Sequence, residues 1–272
     1  MHPKRIKCDP SFYGMTLLAI FLGYLNEYLI FALTIFVHEC GHLTMAAFYK
    51  WKFERLRLFA FGGIMEFQGE LNKPNIEDLF VSSGGVIFNF IAFLILLFFR
   101  ERVGPYVNLT LYNYAMSTQL FVMLFNLIPL PPLDGSRLVN TILCFFLPYK
   151  TVLRLMKRIN VLLIFTFIIV TILYDFRQIY IIMSFLIYST IRYNKEIYFL
   201  FQRFLLQKKM YINTDLPYKI VKISNNSLED SFYRGYFNTF QINHRFHDET
   251  SWLKLKYEEN QGLSVDATFK TE

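Results

Sequence analysis

The sequence predicts an all-α polytopic membrane protein with about six transmembrane helices, a short β-hairpin between helices 2 and 3, and a small cytosolic C-terminal α/β region. Three observations carry this expectation. The 272 residues are 54% hydrophobic and 19% aromatic, more apolar than a soluble domain of that length needs. Six apolar stretches follow one another closely. Lys and Arg collect in alternate connections between them, the pattern that sets membrane topology.

The stretches run roughly Ser11–Leu25, Tyr28–Tyr49, Leu79–Phe99, Tyr106–Leu127, Val152–Tyr174 and Ile179–Tyr193. A full span takes about 20 residues. The first and last are short for that and need local thinning of the bilayer or flanking aromatic residues. Asn26-Glu27 is expected to turn the chain between the first two. Pro74-Asn75 followed by Glu77 and Asp78 reads as the start of the third helix, with acids in its first turn. Lys4, Arg5 and Lys7 precede the first stretch, but no small-x-small site ends it, so a retained helix is expected rather than a cleaved signal.

Six spans put both termini on one side. Fourteen of the seventeen Lys and Arg before residue 194 then share that side, against Arg100, Arg102 and Arg177 on the other. Positive charge stays inside, so both termini are expected in the cytosol. Residues 194–272 hold eleven basic and ten acidic residues, which excludes a basic nucleic-acid-binding arm. Cys8, Cys40 and Cys144 are scattered and odd in number, so neither a disulfide framework nor a cysteine zinc site is implied.

Residues 53–70 break the helical pattern. Phe53-Glu-Arg-Leu-Arg-Leu-Phe alternates like a strand, Gly62-Gly63 signals a turn, and Ile64-Met-Glu-Phe67 reads as the returning strand. An ordinary loop hairpin and a substrate-docking edge fit this pattern equally. Residues 1–195 read as the transmembrane domain and residues 196–272, rich in Asn, Tyr and charge, as a cytosolic region. No repeat or low-complexity tract occurs.

The chemistry centres on His38-Glu39-Cys40-Gly41-His42 in the second stretch. Positions four apart share a helix face, so the two imidazoles can hold one Zn²⁺. Glu39 lies beside the first, placed to take a proton from water on the metal. Ionisable side chains inside a membrane helix are costly, at about 2.5–3.5 kcal/mol for a central Asp or Lys, so their clustering needs a reason. A solvated turn at the membrane surface would supply one, but it does not require the four-residue spacing. Cys40 points away from the ligand face and reads as a small packed residue.

Catalytic zinc usually has three protein ligands and one open position. His244 and His247 are candidates by type but lie in the polar tail. Asp134 is stronger, at the end of Phe125-Asn-Leu-Ile-Pro-Leu-Pro-Pro-Leu-Asp-Gly135. Three prolines there forbid a continuous helix. Irregular backbone at membrane depth is tolerated where it lines a wet cavity or is buried in protein. An Asp capping the next helix is the competing reading of that residue.

H-E-x-x-H in one span, with N-x-x-P-x-P-P-L-D-G about ninety residues later, resembles the site-2 protease family of intramembrane zinc metalloproteases, peptidase family M50. The resemblance implies one Zn²⁺ per chain on His38, His42 and Asp134, with Glu39 as catalytic base. Phe61-Gly62-Gly63 is similar to the family's F-G-G hairpin, which implies a strand edge offered to an extended substrate at Gly62 and Gly63. Gly84-Gly85-Val86-Ile-Phe-Asn89 is similar to the family's A-G-P-x-x-N, with Val86 in place of the proline. That implies substrate or oxyanion contacts from Asn89 and Asn126, although a helix asparagine also serves to tie helices together.

The layout resembles the stage IV sporulation FB-type branch, which implies a bacterial cell-membrane enzyme and a C-terminal CBS-like domain. It also implies ATP sensing through that domain, a membrane-associated pro-sigma factor as substrate and an inhibitory membrane partner. The stretch Leu216–Phe232 can open a CBS-like unit, but the rest of one is not traceable. A metal-binding scaffold or transporter without hydrolysis is the alternative.

Overall fold

In a computed structural model, residues 6–59, 62–103, 107–173, 180–211, 216–223, 228–242 and 245–258 are described. The described residues of the six apolar stretches fall mainly in six helices. These are α1 (Pro10–Leu22), α2 (Leu25–Phe48), α3 (Asn75–Val103), α4 (Leu109–Asn126), α6 (Tyr149–Leu173) and α7 (Tyr180–Met210). By length and composition α2, α3 and α6 can cross a bilayer. Helix α1 has only 13 residues, and α7 turns polar beyond Ile191. The chain turns between α1 and α2 at Gly23, with φ of 77°, and not at Asn26-Glu27, which lie in the first turn of α2. A positive φ is free for glycine and strained for asparagine followed by glutamate, so the turn falls at the earlier residue. Helix α5 (Asp134–Phe146) was not expected. Its one continuous apolar run, Ile142–Leu147, is six residues long, too short to announce a span.

Contacts divide the chain into two compact units. One comprises residues 1–70, 79–128 and 133–135. The other comprises residues 71–78, 129–132 and 136–272.

In the first unit, β2 (Phe53–Phe59) pairs antiparallel with β3 (Gly62–Phe67), and β1 (Ile6–Cys8) runs parallel along the other edge of β2. Gly62 pairs with Phe59 and Gly63 with Leu58. Both glycines therefore belong to the strand, and the connection at residues 60–61, Phe61 included, lies outside the described residues. Trp51, Phe67, Val81 and Ala46 pack into a small core beside this sheet. Helix α3 continues unbroken through Gly84-Gly85-Val86, as expected once no proline removes a backbone donor.

In the second unit, α5, α6 and α7 share one core with the C-terminal region. Cys144, Tyr149, Val152, Leu153 and Met156 meet Phe204, Leu205, Phe232, Phe240 and Trp252 there. The region itself holds β4 (Tyr218–Lys222) parallel to β5 (Phe237–Ile242), β6 (Arg245–Asp248) antiparallel to β5, and then α8 (Glu249–Glu258). Buried positions alternate along β5, the period-2 signature of a strand with one face on a core. Position 195/196 falls inside α7. Asp78, fully buried, accepts from Arg137, Arg234 and Thr141.

Candidate metal centre

Helix α2 carries His38 and His42 on one face, one turn apart, and buries both. Their rings meet edge to face with centroids 4.9 Å apart. Both Nε2 atoms point to the carboxylate of Asp134. Its Oδ2 lies 2.7 Å from His38 Nε2 and 3.1 Å from His42 Nε2, and the two Nε2 atoms are 3.3 Å apart. The three donors come from residues 92 and 96 positions apart in the chain, and all lie within 4.8 Å of one another.

That donor set fits zinc. Bonds of about 2.0–2.1 Å at tetrahedral angles place ligand atoms about 3.3 Å apart, close to the imidazole separation seen. Two imidazole nitrogens and one carboxylate oxygen leave a fourth direction open, as a hydrolytic site requires. Cys40 is not among the donors. His247 sits in β6 of the second unit, and His244 lies outside the described residues.

The ring nitrogens away from the cluster are also held. His42 Nδ1 is 2.7 Å from the Val81 carbonyl oxygen. A carbonyl only accepts, so Nδ1 carries the proton and Nε2 presents its lone pair. His38 Nδ1 lies 3.2 Å from the side-chain amide of Asn89 on α3. Glu39, half-buried beside His38, accepts a hydrogen bond of 3.0 Å from the Gly63 backbone N–H of β3.

Glycines make room for this arrangement. A Cβ on Gly85 would stand 2.5 Å from Nε2 of both histidines. A Cβ on Gly84 would stand 2.6 Å from the Gly41 carbonyl oxygen, so α2 and α3 touch backbone to backbone. A Cβ on Gly135 would lie 2.5 Å from the Ile128 carbonyl oxygen. That closeness sets the start of α5, with Asp134, against the backbone of Leu127 and Ile128 just past the end of α4.

Asp134 opens α5, so it stands both at a helix start and against the two histidines. Of the asparagines singled out from the sequence, Asn89 touches His38, whereas the Asn126 amide donates 3.0 Å to the Val122 carbonyl oxygen of its own helix. Gly63 touches Glu39, and Gly62 is paired within the sheet. Val81, Gly41, Gly84 and Gly85 were not assigned parts in the site by sequence. Small residues interrupting two apolar helices were the available signal for the glycines. A backbone carbonyl such as that of Val81 leaves no mark on a sequence.

The family model of peptidase family M50 matches residues 27–109, a range that holds both histidines, Glu39, Gly85 and Asn89. Over that range, about a third of its length, the chain resembles peptidase family M50. The chain is similar to stage IV sporulation protein FB of Bacillus subtilis, at 28% identity over 56% of this chain and 52% of that protein. It is also similar to a zinc metalloprotease of Methanocaldococcus jannaschii, at 30% identity over 43% of this chain and 34% of that protein. The matches thus span about half the sporulation protein and a third of the archaeal one. A solved site-2 protease from Methanocaldococcus jannaschii shares the fold, with a TM-score of 0.55 and 21% identity over 70% of this chain and 90% of that one. Among the described residues three helices are fit to cross a bilayer, which marks the chain as an integral membrane protein.

Proposed function

We propose that this chain is an intramembrane zinc metalloprotease of the site-2 type, with one Zn²⁺ on His38, His42 and Asp134 and with Glu39 as general base. The observation that carries the reading is the convergence of two imidazole Nε2 atoms and one carboxylate oxygen on a single point, with the Glu39 carboxylate next in the chain to His38 and held by the Gly63 backbone N–H. Zinc there would polarise the scissile carbonyl and lower the pKa of water at the open position from about 15.7 to about 7.

The protein groups do the rest. Val81 fixes the His42 imidazole so that its Nε2 lone pair faces the common point, and Asn89, with its amide turned to set Oδ1 against Nδ1–H, would do the same for His38. Glu39 takes the proton of the attacking water as the water oxygen bonds to the carbonyl carbon. The C–N bond then breaks, and the same carboxyl hands its proton to the departing amine nitrogen, leaving an acid and an amine. The free edge of β3, with Gly62 and Gly63, offers backbone groups to an extended substrate strand, and Gly63 already reaches Glu39. Such pairing requires a locally unwound substrate, so helix-weakening residues near the cleaved bond are expected. Asn89 serves by holding His38, and Asn126 is the remaining candidate for substrate contact.

Six spans with both termini cytosolic, a bacterial cell membrane and a membrane-associated substrate complete the reading. Likeness to the sporulation protein supports a pro-sigma factor as substrate and an inhibitory membrane partner. The order of β4, β5, β6 and α8 supports a shortened CBS-like unit, in which ATP sensing is the least supported feature.

The test is zinc content of the detergent-purified chain. Wild type and Glu39→Gln are expected to hold one zinc each, while His38→Ala and Asp134→Ala lose it. A well-folded wild type without zinc, or zinc indifferent to Asp134, refutes the ligand set. The alternative is a metal-binding scaffold or transporter, which keeps its function in Glu39→Gln; a protease loses turnover there while retaining the metal.

A further inference from the structure

The second unit contains a cavity of about 610 Å³ between α6 and α7. Its lining includes Lys150, Arg154 and Lys157 from α6 and Lys195, Tyr198 and Phe201 from α7. Asp230 pairs with Lys150 and, at 3.1 Å, with Arg154. Lys157 and Lys195 have no acidic partner among the described residues. One carboxylate against four cations leaves the cavity strongly positive.

Its depth is set by the two helices. Asn160 of α6 donates 3.2 Å to Asn194 of α7, which brings Lys157 and Lys195 to about the same level. Beyond that level both helices become mostly apolar. No charged residue occurs from Ile159 to Leu173 or from Tyr180 to Ile191. Large side chains there face outward, with Leu162, Phe165 and Tyr188 all more than 60% exposed. At 1.5 Å per residue, Lys157 sits about 6 Å from the start of the apolar run at Val161. The headgroup layer flanking a hydrocarbon core of about 30 Å lies at that distance.

We infer that this cavity binds the headgroup of an anionic phospholipid, with Lys157 and Lys195 holding the phosphate and the exposed apolar flanks of α6 and α7 taking the acyl chains. Cations alone would serve a soluble phosphate equally. The continuity of the basic wall with two bilayer-facing helix surfaces selects a lipid. Tyr198, 67% exposed, matches the amphipathic aromatic residues found at this depth. The site is independent of the metal centre and of hydrolysis.

The full chain would be inserted into nanodiscs of phosphatidylcholine with an equal part of phosphatidylglycerol. Native mass spectrometry after release would then count retained lipids of each kind. Wild type should retain phosphatidylglycerol over phosphatidylcholine, and Lys157→Gln/Lys195→Gln should cut that preference by about thirtyfold, at roughly fivefold per lysine near the surface. Lys157→Arg/Lys195→Arg should keep it, as should Arg100→Gln/Arg102→Gln at the far end of α3. All four side chains carry exposed charge, and unchanged thermal melting in detergent would establish that the variants fold. An unchanged preference in the double Gln variant overturns the inference. So does full displacement of the lipid by millimolar glycerol 3-phosphate, which would mark a soluble ligand.

Discussion

Asn89 is the side chain on which presentation of His38 depends. Its Nδ2 lies 3.2 Å from His38 Nδ1, and its buried Oδ1 has no partner among the described residues. A half-turn of the amide brings Oδ1 against Nδ1–H and frees the Nε2 lone pair for a metal. Asn89→Leu should therefore weaken zinc binding by about 10–100-fold, the usual effect of losing such an outer partner. Asn89→Asp, which still accepts from Nδ1–H, should stay near wild type. Chelator competition measures both, and equal affinity in Asn89→Leu would refute the orienting role. The histidines and Glu39 were legible because helical spacing alone places them. Asn89 was legible as a residue, but its partner was not, since a contact between α2 and α3 across 51 residues has no local pattern.

At the scale of elements, the close passage of α2 and α3 decides whether the site exists. Gly41 and Gly84 meet backbone to backbone, and Gly85 gives its side-chain space to the two imidazoles. Backbone cannot swing aside as a side chain can. Gly84→Ala should thus destabilise the chain by about 1–3 kcal/mol, the cost of overpacking a close contact. Gly14→Ala in α1 is the contrast. Nothing stands within 4 Å of its added methyl, so the change should be neutral or stabilise by up to about 1 kcal/mol through helix propensity. Thermal unfolding in detergent compares them, and equal behaviour would argue against the close packing. The apolar stretches announced six helices clearly. Helix α5 stayed hidden because it is short and amphipathic and follows a proline segment that reads as a loop. The registers of β2 and β3 depended on pairing, which moved Gly62 and Gly63 from a turn into a strand.

Over the whole molecule, the C-terminal region is a packed part of the second unit and not a detached tail. Lys208 of α7, fully buried, bonds both carboxylate oxygens of Glu249 at 2.9 and 2.8 Å and the Tyr236 carbonyl oxygen at 2.7 Å. Asn238 donates to the same carboxylate from its backbone and its side chain. Removing one member of a buried pair strands the other charge. Glu249→Ala should cost about 3–5 kcal/mol, whereas Lys208→Met/Glu249→Leu should cost much less or nothing. Urea unfolding followed by Trp252 fluorescence reads this out, and a double variant as damaged as the single would refute it. Composition placed this region outside the apolar spans. It gave no warning of the shared core, because Phe232, Phe240 and Trp252 are too sparse to form a hydrophobic run.

What the sequence determined by itself is whatever depends on near neighbours in the chain. That covers the apolar helices, the shared face of His38 and His42, the acid beside them and the proline break before Asp134. These follow from helix periodicity, hydropathy and the missing proline donor, which operate over a few residues. Only the tertiary structure decided which distant groups meet. It brought Asp134 to the two histidines, turned Val81 and Asn89 toward their rings, and set Gly63 against Glu39. Those contacts depend on how closely helix backbones can approach, and that is settled by packing in three dimensions, where a single missing methyl at Gly85 makes room for two imidazoles.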